Sequence, residues 1–258
     1  MEFETIRYGE EDGLATITLA RPEKMNSLTA RMRAELRTAL AAAERSARAI
    51  VLTGAGRGFC AGQDLGDAAD VDGLDLERVL REEYEPLIAA ITGSPLPVLA
   101  AVNGVAAGAG ANLALAADVV IAARSASFVE AFARIGLIPD AGGTFLLPRL
   151  VGRARAVGMC LFTDPVPAGQ AADWGLIWEA VEDDALDGRA RELGRRLADG
   201  PGVAFRLLKE AMRGSAANDL ATQLDLEARL QGEAGRTRDF REGVLAFLEK
   251  RSPRFEGR

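Results

Sequence analysis

Residues 98–122 read VLAAVNGVAAGAGANLALAADVVIA, and this stretch decides the fold class. The apolar run Val98–Val102 predicts a buried strand, and Asn103-Gly104 predicts the turn that ends it. Small residues from 106 to 117 predict a helix, which leads into a second apolar strand over residues 119–122. A strand, a helix and a further strand in this order indicate an α/β protein.

The same region has no charged residue from Pro86 to Ala117, a length above the ~20 residues needed to cross a bilayer. Two prolines and four glycines interrupt it, however, and alanine rather than leucine supplies much of its apolar character. We therefore expect a buried strand, turn and helix here, and no membrane partner.

The rest of the chain alternates between strand and helix patterns before it becomes helical. Residues 3–8 and 14–19 predict a hairpin around Asp12-Gly13, and Thr29 is the expected N-cap of the helix that follows. An aspartate-rich segment over residues 67–75 is expected to form a surface loop. Helices are then predicted at 186–197, 203–212, 219–230 and 240–249. We place the domain boundary near Arg195, which gives a core of residues 1–195 and a helical oligomerisation region of residues 196–258.

Composition excludes several classes of function. The chain has 258 residues and a net charge of −7. It has no histidine, and this absence rules out imidazole bases, Ser-His-Asp triads and HExxH zinc sites. The negative charge opposes binding to nucleic acid, and two cysteines are too few for a disulfide framework or a metal cluster. The acidic N-terminus lacks the pattern of a secretory signal. We expect a cytoplasmic protein without a metal.

Two glycine-rich stretches follow predicted strands, at residues 54–65 and 103–112. Neither is a nucleotide-binding loop, because no Gly-Lys dipeptide exists and Phe59 stands where a dinucleotide fingerprint needs glycine. Such loops let a ligand approach backbone N–H groups, and two donors would form an oxyanion hole. The alternative is that these glycines only permit tight turns and close helix packing.

Three ordered motifs resemble those of the crotonase, or enoyl-CoA hydratase/isomerase, superfamily. They are residues 58–65 (GFCAGQDL), residues 103–118 (NGVAAGAGANLALAAD) and residues 135–144 (IGLIPDAGGT). The resemblance implies an α/β fold, a spiral of ββα units with a C-terminal helical trimerisation part. It also implies an acyl-CoA thioester substrate, no cofactor beyond the coenzyme A of that substrate, and a homotrimer or dimer of trimers.

The resemblance assigns expected roles to individual residues. The backbone N–H groups of Gln63 and Ala109 match the two oxyanion donors, although the family usually has glycine at the second position. The remaining expected contacts with coenzyme A or the acyl group are Lys24, Ala61, Asp64, Leu65, Phe132, Leu137, Phe247 and Lys250. Of these, Phe247 and Lys250 match a pair that reaches the coenzyme A of a neighbouring subunit.

The acids depart from the hydratase pattern. Asn112 and Phe132 stand where family hydratases hold a water between two glutamates. Asp140 stands where some isomerases of the family have their base. We therefore interpret its carboxyl group as the one that takes and returns the proton, with N-capping of the next helix as the alternative. Glu130 and Asp64 are competing acids, and Asp118 is expected to be a structural cap.

The sequence therefore predicts an acyl-CoA isomerase. The segment around Asp140 and the C-terminal third resemble the ring-epoxide isomerases of bacterial phenylacetate degradation, which convert 1,2-epoxyphenylacetyl-CoA to oxepin-CoA. The alternatives are a double-bond-shifting enoyl-CoA isomerase, an enoyl-CoA hydratase, an RNA-binding homologue, or a non-catalytic assembly partner.

Overall fold

The structure is a computed structural model that describes residues 2–64, 66 and 75–257. Leu65 and most of the expected aspartate-rich surface loop, residues 67–74, lie outside the described residues. Strands in the described part form a six-stranded sheet, in the order β1-β2-β3-β5-β7-β10, and a four-stranded sheet, in the order β4-β6-β8-β9. The strands are β1 (Ile6–Glu11), β2 (Leu14–Leu19), β3 (Ala49–Gly54), β4 (Gly58–Cys60), β5 (Val98–Val102), β6 (Val105–Ala107), β7 (Val119–Ala123), β8 (Ser127–Val129), β9 (Val166–Pro167) and β10 (Glu179–Val181).

The first seven helices lie between or after the strands along the chain, and the last three follow one another. The helices are α1 (Ala30–Ser46), α2 (Leu76–Val79), α3 (Glu85–Gly93), α4 (Ala109–Leu115), α5 (Gly143–Phe162), α6 (Ala168–Asp173), α7 (Leu186–Ala198), α8 (Gly202–Ser215), α9 (Leu220–Ala234) and α10 (Arg238–Leu248). A π-helical turn, Leu80–Tyr84, joins α2 to α3, and 3-10 helices occupy Pro22–Lys24, Ala131–Ile135 and Asp183–Ala185.

The chain repeats one unit, a strand of the large sheet, a strand of the small sheet and then helix. This order occurs at β3-β4-α2, at β5-β6-α4 and at β7-β8-α5. Because β3, β5 and β7 are parallel neighbours, as are β4, β6 and β8, successive units stack into a spiral. The predicted α/β spiral of ββα units is confirmed. Each unit also places one strand-to-helix loop on the same side as its neighbours.

The first hairpin forms as predicted, but its first strand is displaced. The prediction placed this strand at residues 3–8, whereas β1 spans Ile6–Glu11 and pairs in register with β2 across the Asp12-Gly13 turn. Both turn residues have positive φ, 51° and 75°, which is the geometry of a two-residue hairpin turn. Thr29 caps α1 by accepting a hydrogen bond from the Met32 N–H at 3.2 Å, as expected.

The predicted helix over residues 106–117 is wrong at its start. Val105–Ala107 is the strand β6, and the helix begins only at Ala109, because Gly108 adopts φ 52° and ψ −129° between the two elements. A run of alanine and glycine has no apolar periodicity that could reveal this change of conformation. The break matters for the site, since it leaves the Ala109 peptide at the start of a helix.

The four predicted C-terminal helices are present as α7 to α10. The expected boundary between residues 195 and 196 falls inside α7, which packs against β3 and β5 of the large sheet. The chain leaves this helix near Gly200-Pro201, before α8. The division into two domains stays a prediction. In the described part of the chain, no helix is long and apolar enough to cross a membrane.

Candidate active site

Two loops meet where β4 ends and α4 begins. A Cβ atom on Gly62 would lie 2.7 Å from the carbonyl oxygen of Ala107 and 3.5 Å from the nitrogen of Ala109. Gly62 also has φ +88°, in the region that favours glycine. This close approach brings the peptide groups of Gln63 and Ala109 into the same region.

The N–H groups of Gln63 and Ala109 have no acceptor among the residues that the structure describes. Gln63 forms a parallel β-bridge with Leu28, and the hydrogen bonds of this bridge are made by the neighbours of Gln63. The Leu28 N–H donates to the Gly62 oxygen at 2.7 Å, and the Asp64 N–H donates to the Leu28 oxygen at 3.1 Å. Alternate peptide groups of a strand point to opposite sides, so the Gln63 N–H points away from Leu28. The Ala109 N–H is in the first turn of α4, where helical partners are lacking. Two free donors of this kind can hold one carbonyl oxygen.

Asp140 lines a cavity of about 470 Å³ between the helix after β4 and the loop before α5. Apolar side chains form most of its wall. The other lining residues are Leu80, Tyr84, Glu85, Ile88, Ala89, Thr92, Ala141 and Gly142. This volume lies in the range of about 300–1,000 Å³ that is typical of small-molecule pockets. The cavity therefore combines a mostly apolar surface with two carboxyl groups, that of Asp140 and that of Glu85, whose side chain is exposed.

Burial raises the pKa of Asp140 to about 6, against a partial lowering by the positive charge of Arg33. Asp140 is thus mostly ionised at neutral pH, yet it takes up a proton more readily than an exposed aspartate. Its Oδ1 atom is buried and accepts no hydrogen bond from the described residues. The alternative N-cap role is not observed, since Gly142 occupies the N-cap of α5 without a side-chain cap.

Asn112 connects Asp140 to a second buried acid. Its Nδ2 donates to the Asp140 carbonyl oxygen at 2.9 Å and lies 3.5 Å from Oε2 of Glu130. A Cβ on Gly143 would lie 2.5 Å from the same Nδ2, so the amide packs directly on the start of α5. Glu130 is only 1% exposed, and burial together with the charge of Asp140 raises its pKa to about 7. Sequence patterns left the direction of Glu130 open, and the structure turns it inward.

Glu130 makes stability depend on pH. Its pKa is about 7 in the folded chain against 4.5 for an ordinary glutamate, so stability is lost as pH rises through this window. We expect Glu130→Gln to raise the free energy of unfolding at pH 8 by up to about 3 kcal/mol. The gain should shrink as pH falls and vanish below about 4.5. Urea unfolding at pH 8, 6 and 4, at fixed protein concentration, measures it.

The matched control is Glu23→Gln, which removes a charge from an exposed position. It should leave the pH dependence of unfolding unchanged. A Glu130→Gln protein that unfolds at the same urea concentration as the unsubstituted chain at pH 8 would contradict the inward, desolvated placement of Glu130.

Asp64 is engaged in a structural contact. Its Oδ2 accepts hydrogen bonds from Arg21 at 2.7 Å and from the Ser27 hydroxyl at 2.9 Å, and these contacts hold its pKa below the usual range. The ionised carboxylate therefore joins its own loop to the segment that carries Arg21 and Ser27. Asp64 is therefore a structural acid, and its carboxylate takes up a proton less readily than an ordinary aspartate.

The expected coenzyme A contacts occupy several different environments. Lys24 and Ala61 are exposed, and the Ala61 N–H donates to the Met25 oxygen beside Lys24 at 2.9 Å. Leu65 lies outside the described residues. Phe132 is buried, with its ring 3.7 Å from a Cβ placed on Gly108, beside the start of α4.

The other expected contacts are not brought to the cavity. Leu137 is 37% exposed, in the loop before α5. Phe247, on α10, is 83% exposed, Lys250 is exposed just beyond that helix, and neither lines the cavity of Asp140. Their assignment to coenzyme A of a neighbouring subunit stays a prediction.

Two residues near the site were missed by sequence analysis, Arg33 and Tyr84. Arg33 is 3% exposed and Tyr84 is 3% exposed, and both bond to the side chain of Gln63. A signal was present for Arg33, which stands three residues before Leu36 and so shares its apolar helix face. A cation on an apolar face needs buried partners.

Asp118 has the structural role that was expected. Its Oδ2 accepts a hydrogen bond from the Val98 N–H at 2.8 Å and lies 2.6 Å from Nζ of Lys209. Among residues 2–64, 66 and 75–257, no group of three or more His, Cys, Asp or Glu side chains could hold a metal ion.

Comparison with known proteins gives the same family for sequence and structure. The family model for enoyl-CoA hydratase/isomerase matches residues 9–258. A "Probable enoyl-CoA hydratase" of Rhodobacter capsulatus is 63% identical over 258 residues, covering 100% of both chains. The 1,2-epoxyphenylacetyl-CoA isomerase of Escherichia coli is 52% identical, over 96% of this chain and 97% of the relative. A crystal structure of enoyl-CoA hydratase from Bacillus anthracis superposes with a TM-score of 0.91 at 34% identity, over 99% of this chain and 100% of that one.

Proposed function

Since the chain belongs to the enoyl-CoA hydratase/isomerase family, the crotonase superfamily, we propose that it is an isomerase of coenzyme A thioesters that converts 1,2-epoxyphenylacetyl-CoA to oxepin-CoA. The observation that carries this proposal is the Asp140 carboxyl group in the wall of a mostly apolar cavity, because its buried Oδ1 accepts no hydrogen bond from the described residues. The 52% identity to the Escherichia coli isomerase supports the choice of substrate.

The thioester carbonyl is held, in this proposal, by the N–H groups of Gln63 and Ala109. Negative charge develops on that oxygen when the carbon next to the carbonyl loses a proton. Two amide donors stabilise the charged state more than the neutral thioester, and one such donor contributes roughly 3–4 kcal/mol in well-studied sites. The α-proton is thereby made accessible to a carboxylate.

Asp140 removes this proton and returns it elsewhere on the acyl group. A pKa of about 6 suits both steps, because the carboxylate is present at neutral pH and its acid is not too weak a donor. For a ring epoxide, the carbon–carbon bond shared by both rings opens to give the seven-membered oxepin. The electron pair of that bond enters the new double bonds of the seven-membered ring, and the proton that Asp140 takes from the α-carbon is returned to a ring carbon. No atom is gained or lost, and the carboxylate is regenerated.

Addition of water is disfavoured by the residues at the two family glutamate positions. Asn112 uses its amide to bind the Asp140 carbonyl oxygen, and Phe132 presents a buried ring. A hydratase remains the second candidate, because the Rhodobacter capsulatus relative carries that name and Glu130 is a second buried acid beside Asn112. A shift of an enoyl double bond would use Asp140 in the same way as the proposed reaction.

The cavity of Asp140 holds the acyl group in this proposal. Leu80, Ile88 and Ala89 provide apolar contacts, and Tyr84 offers a ring edge or face to an aromatic acyl group. Coenzyme A would contact Lys24, Ala61, Asp64 and Leu65. Phe247 and Lys250 would come from the next subunit of a homotrimer or dimer of trimers in the cytoplasm, and no further cofactor takes part.

The test is incubation of the purified protein with three thioesters: 1,2-epoxyphenylacetyl-CoA, a 3-enoyl-CoA and a 2-enoyl-CoA. Absorbance and mass of the products distinguish the candidates. We expect the ring epoxide to be converted fastest and without a change in mass. A gain of one water on the 2-enoyl-CoA, with the epoxide left intact, would establish the hydratase candidate instead.

A further inference from the structure

A buried polar cluster ties α1 to the segment that carries the Gln63 N–H. Nη1 of Arg33 donates to Oε1 of Gln63 at 2.8 Å, and the Tyr84 hydroxyl donates to the same oxygen. Nη1 of Arg33 also donates to the carbonyl oxygen of Leu28 at 2.9 Å. The side chain of Gln63 is thus held by two donors from two different helical segments.

Arg33 donates hydrogen bonds to both sides of the β-bridge that contains Gln63. Leu28 is the bridge partner of Gln63, and its carbonyl oxygen also accepts the Asp64 N–H at 3.1 Å. One guanidinium therefore fixes the side chain of Gln63 and the backbone that faces it. Since a peptide N–H cannot turn without its neighbours, these contacts fix the direction of the free Gln63 N–H.

The guanidinium is itself held in place. Nε and Nη2 of Arg33 donate to Oε2 of Glu83 at 3.0 and 2.6 Å, and the guanidinium carbon lies 4.7 Å from the centre of the Tyr84 ring. Removing a cation from water is costly, and the contacts with Glu83, Gln63, Leu28 and Tyr84 offset that cost for the buried guanidinium. Tyr84 also lines the cavity of Asp140, which places the cluster beside both parts of the site.

We propose that Arg33 is a positioning residue for the reaction, and that it acts through Gln63 by holding the Gln63 N–H in the direction of the thioester oxygen. This inference rests on the proposed function, because it presupposes the amide pair. Tyr84 is the second residue that holds the side chain of Gln63. Arg33 does not line the cavity, and the Tyr84 hydroxyl acts on Gln63 and not on the acyl group.

Kinetics of three variants test the proposal: Arg33→Met, Gln63→Leu and Tyr84→Phe. Each breaks the contact at Oε1 of Gln63 from a different side. We expect Arg33→Met and Gln63→Leu to lower kcat by about 10- to 100-fold, since an orienting group displaced by about 1 Å costs that much, while KM changes far less. Tyr84→Phe should lower kcat less, because one donor to Oε1 remains.

Two comparisons separate positioning from loss of folding. Arg31→Met is the matched control, because Arg31 lies on the same helix, 57% exposed, and pairs with Glu4 at the surface. It should leave kcat unchanged. If Arg33 acts through Gln63, adding Arg33→Met to Gln63→Leu lowers kcat little further, whereas independent effects would multiply. Should Arg33→Met fail to fold, Gln63→Leu and Tyr84→Phe decide the question.

Infrared spectroscopy gives a direct reading of the carbonyl. Phenylacetyl-CoA labelled with carbon-13 at its thioester carbonyl is bound to each protein, and the isotope-difference spectrum locates the carbonyl stretch. Strong hydrogen bonds from the amide pair shift this band to lower frequency in the unsubstituted protein. We expect the shift to be reduced in Gln63→Leu and Arg33→Met and kept in Arg31→Met.

The outcomes distinguish the proposed amide pair from the positioning role of Arg33. Absence of the shift in the unsubstituted protein would overturn the proposed amide pair itself. A shift that is present there and is fully kept in Gln63→Leu and Tyr84→Phe would overturn the positioning role alone and leave the proposed function standing.

Discussion

Asp140→Asn is expected to lower kcat on 1,2-epoxyphenylacetyl-CoA by about 10²- to 10⁴-fold, the usual contribution of one general acid–base group. The amide keeps the shape of the side chain but cannot take up a proton. Binding should change little, because most of the cavity wall is apolar and the amide has nearly the shape of the carboxyl group that it replaces. Initial rates at saturating and limiting thioester give kcat and KM separately.

The pH dependence identifies the same group independently. Because the carboxylate is the active form, kcat/KM of the unsubstituted protein should fall tenfold per pH unit below pH about 6. Asp140→Asn should also be at least as stable as the unsubstituted chain at pH 8. A group whose pKa is raised on folding destabilises the folded state as pH rises through its folded pKa, and the amide removes that cost.

Asp12→Asn is the matched control for Asp140→Asn. Asp12 precedes Gly13 in the hairpin turn with φ 51°, a position that asparagine also accepts. Its activity and pH profile should match those of the unsubstituted chain. Full activity in Asp140→Asn, or an unchanged acid limb, would contradict the role assigned to Asp140.

Gly62→Ala is expected to lower kcat by about 10²- to 10³-fold, the loss seen when one oxyanion donor is removed. The added methyl group would meet the Ala107 carbonyl oxygen at 2.7 Å, so the two loops must separate. Separation moves the Gln63 and Ala109 N–H groups apart, and they no longer fit one oxygen. Steady-state kinetics and the thermal midpoint are measured together.

Gly175→Ala controls for backbone strain. Gly175 has φ +77°, similar to the +88° of Gly62, but the nearest atom to its added methyl group is the Leu150 carbonyl oxygen at 3.7 Å. In both variants an alanine must adopt a left-handed backbone conformation, which lowers the free energy of unfolding by roughly 1–2 kcal/mol. Only Gly62→Ala should lose activity. Equal activity in the two variants would show that close contact of the loops is not needed.

Strands and helices with a clear apolar period could be predicted from sequence. Val98–Val102 is buried at every position, and α7 to α10 repeat apolar residues at helical spacing. Short strands could not be predicted, because three residues such as Gly58–Cys60 contain no period. The start of α4 was misplaced for a related reason: Gly108 changes the backbone direction within a uniform run of small residues.

Sequence motifs predicted candidate residues in loops that the fold brings together, but not the contacts that distant segments make with those loops. Asp140, Gln63 and Ala109 stand in motifs that resemble those of the family, and the fold brings their loops to one region. Arg33 and Tyr84 are separated from Gln63 by 30 and 21 positions, so only the folded structure shows that they contact its side chain. Glu130 carries no motif, and its inward direction follows from the packing of β8 against the rest of the sheet.

A crystal structure of the protein with bound phenylacetyl-CoA would show whether the amide pair and Asp140 meet on the same thioester. We expect the thioester oxygen about 2.7–3.1 Å from the nitrogens of Gln63 and Ala109. We also expect a carboxylate oxygen of Asp140 about 3–3.5 Å from the α-carbon. An acyl group bound elsewhere, or an Asp140 carboxylate directed away from the α-carbon with the thioester in place, would contradict the proposed roles of these groups.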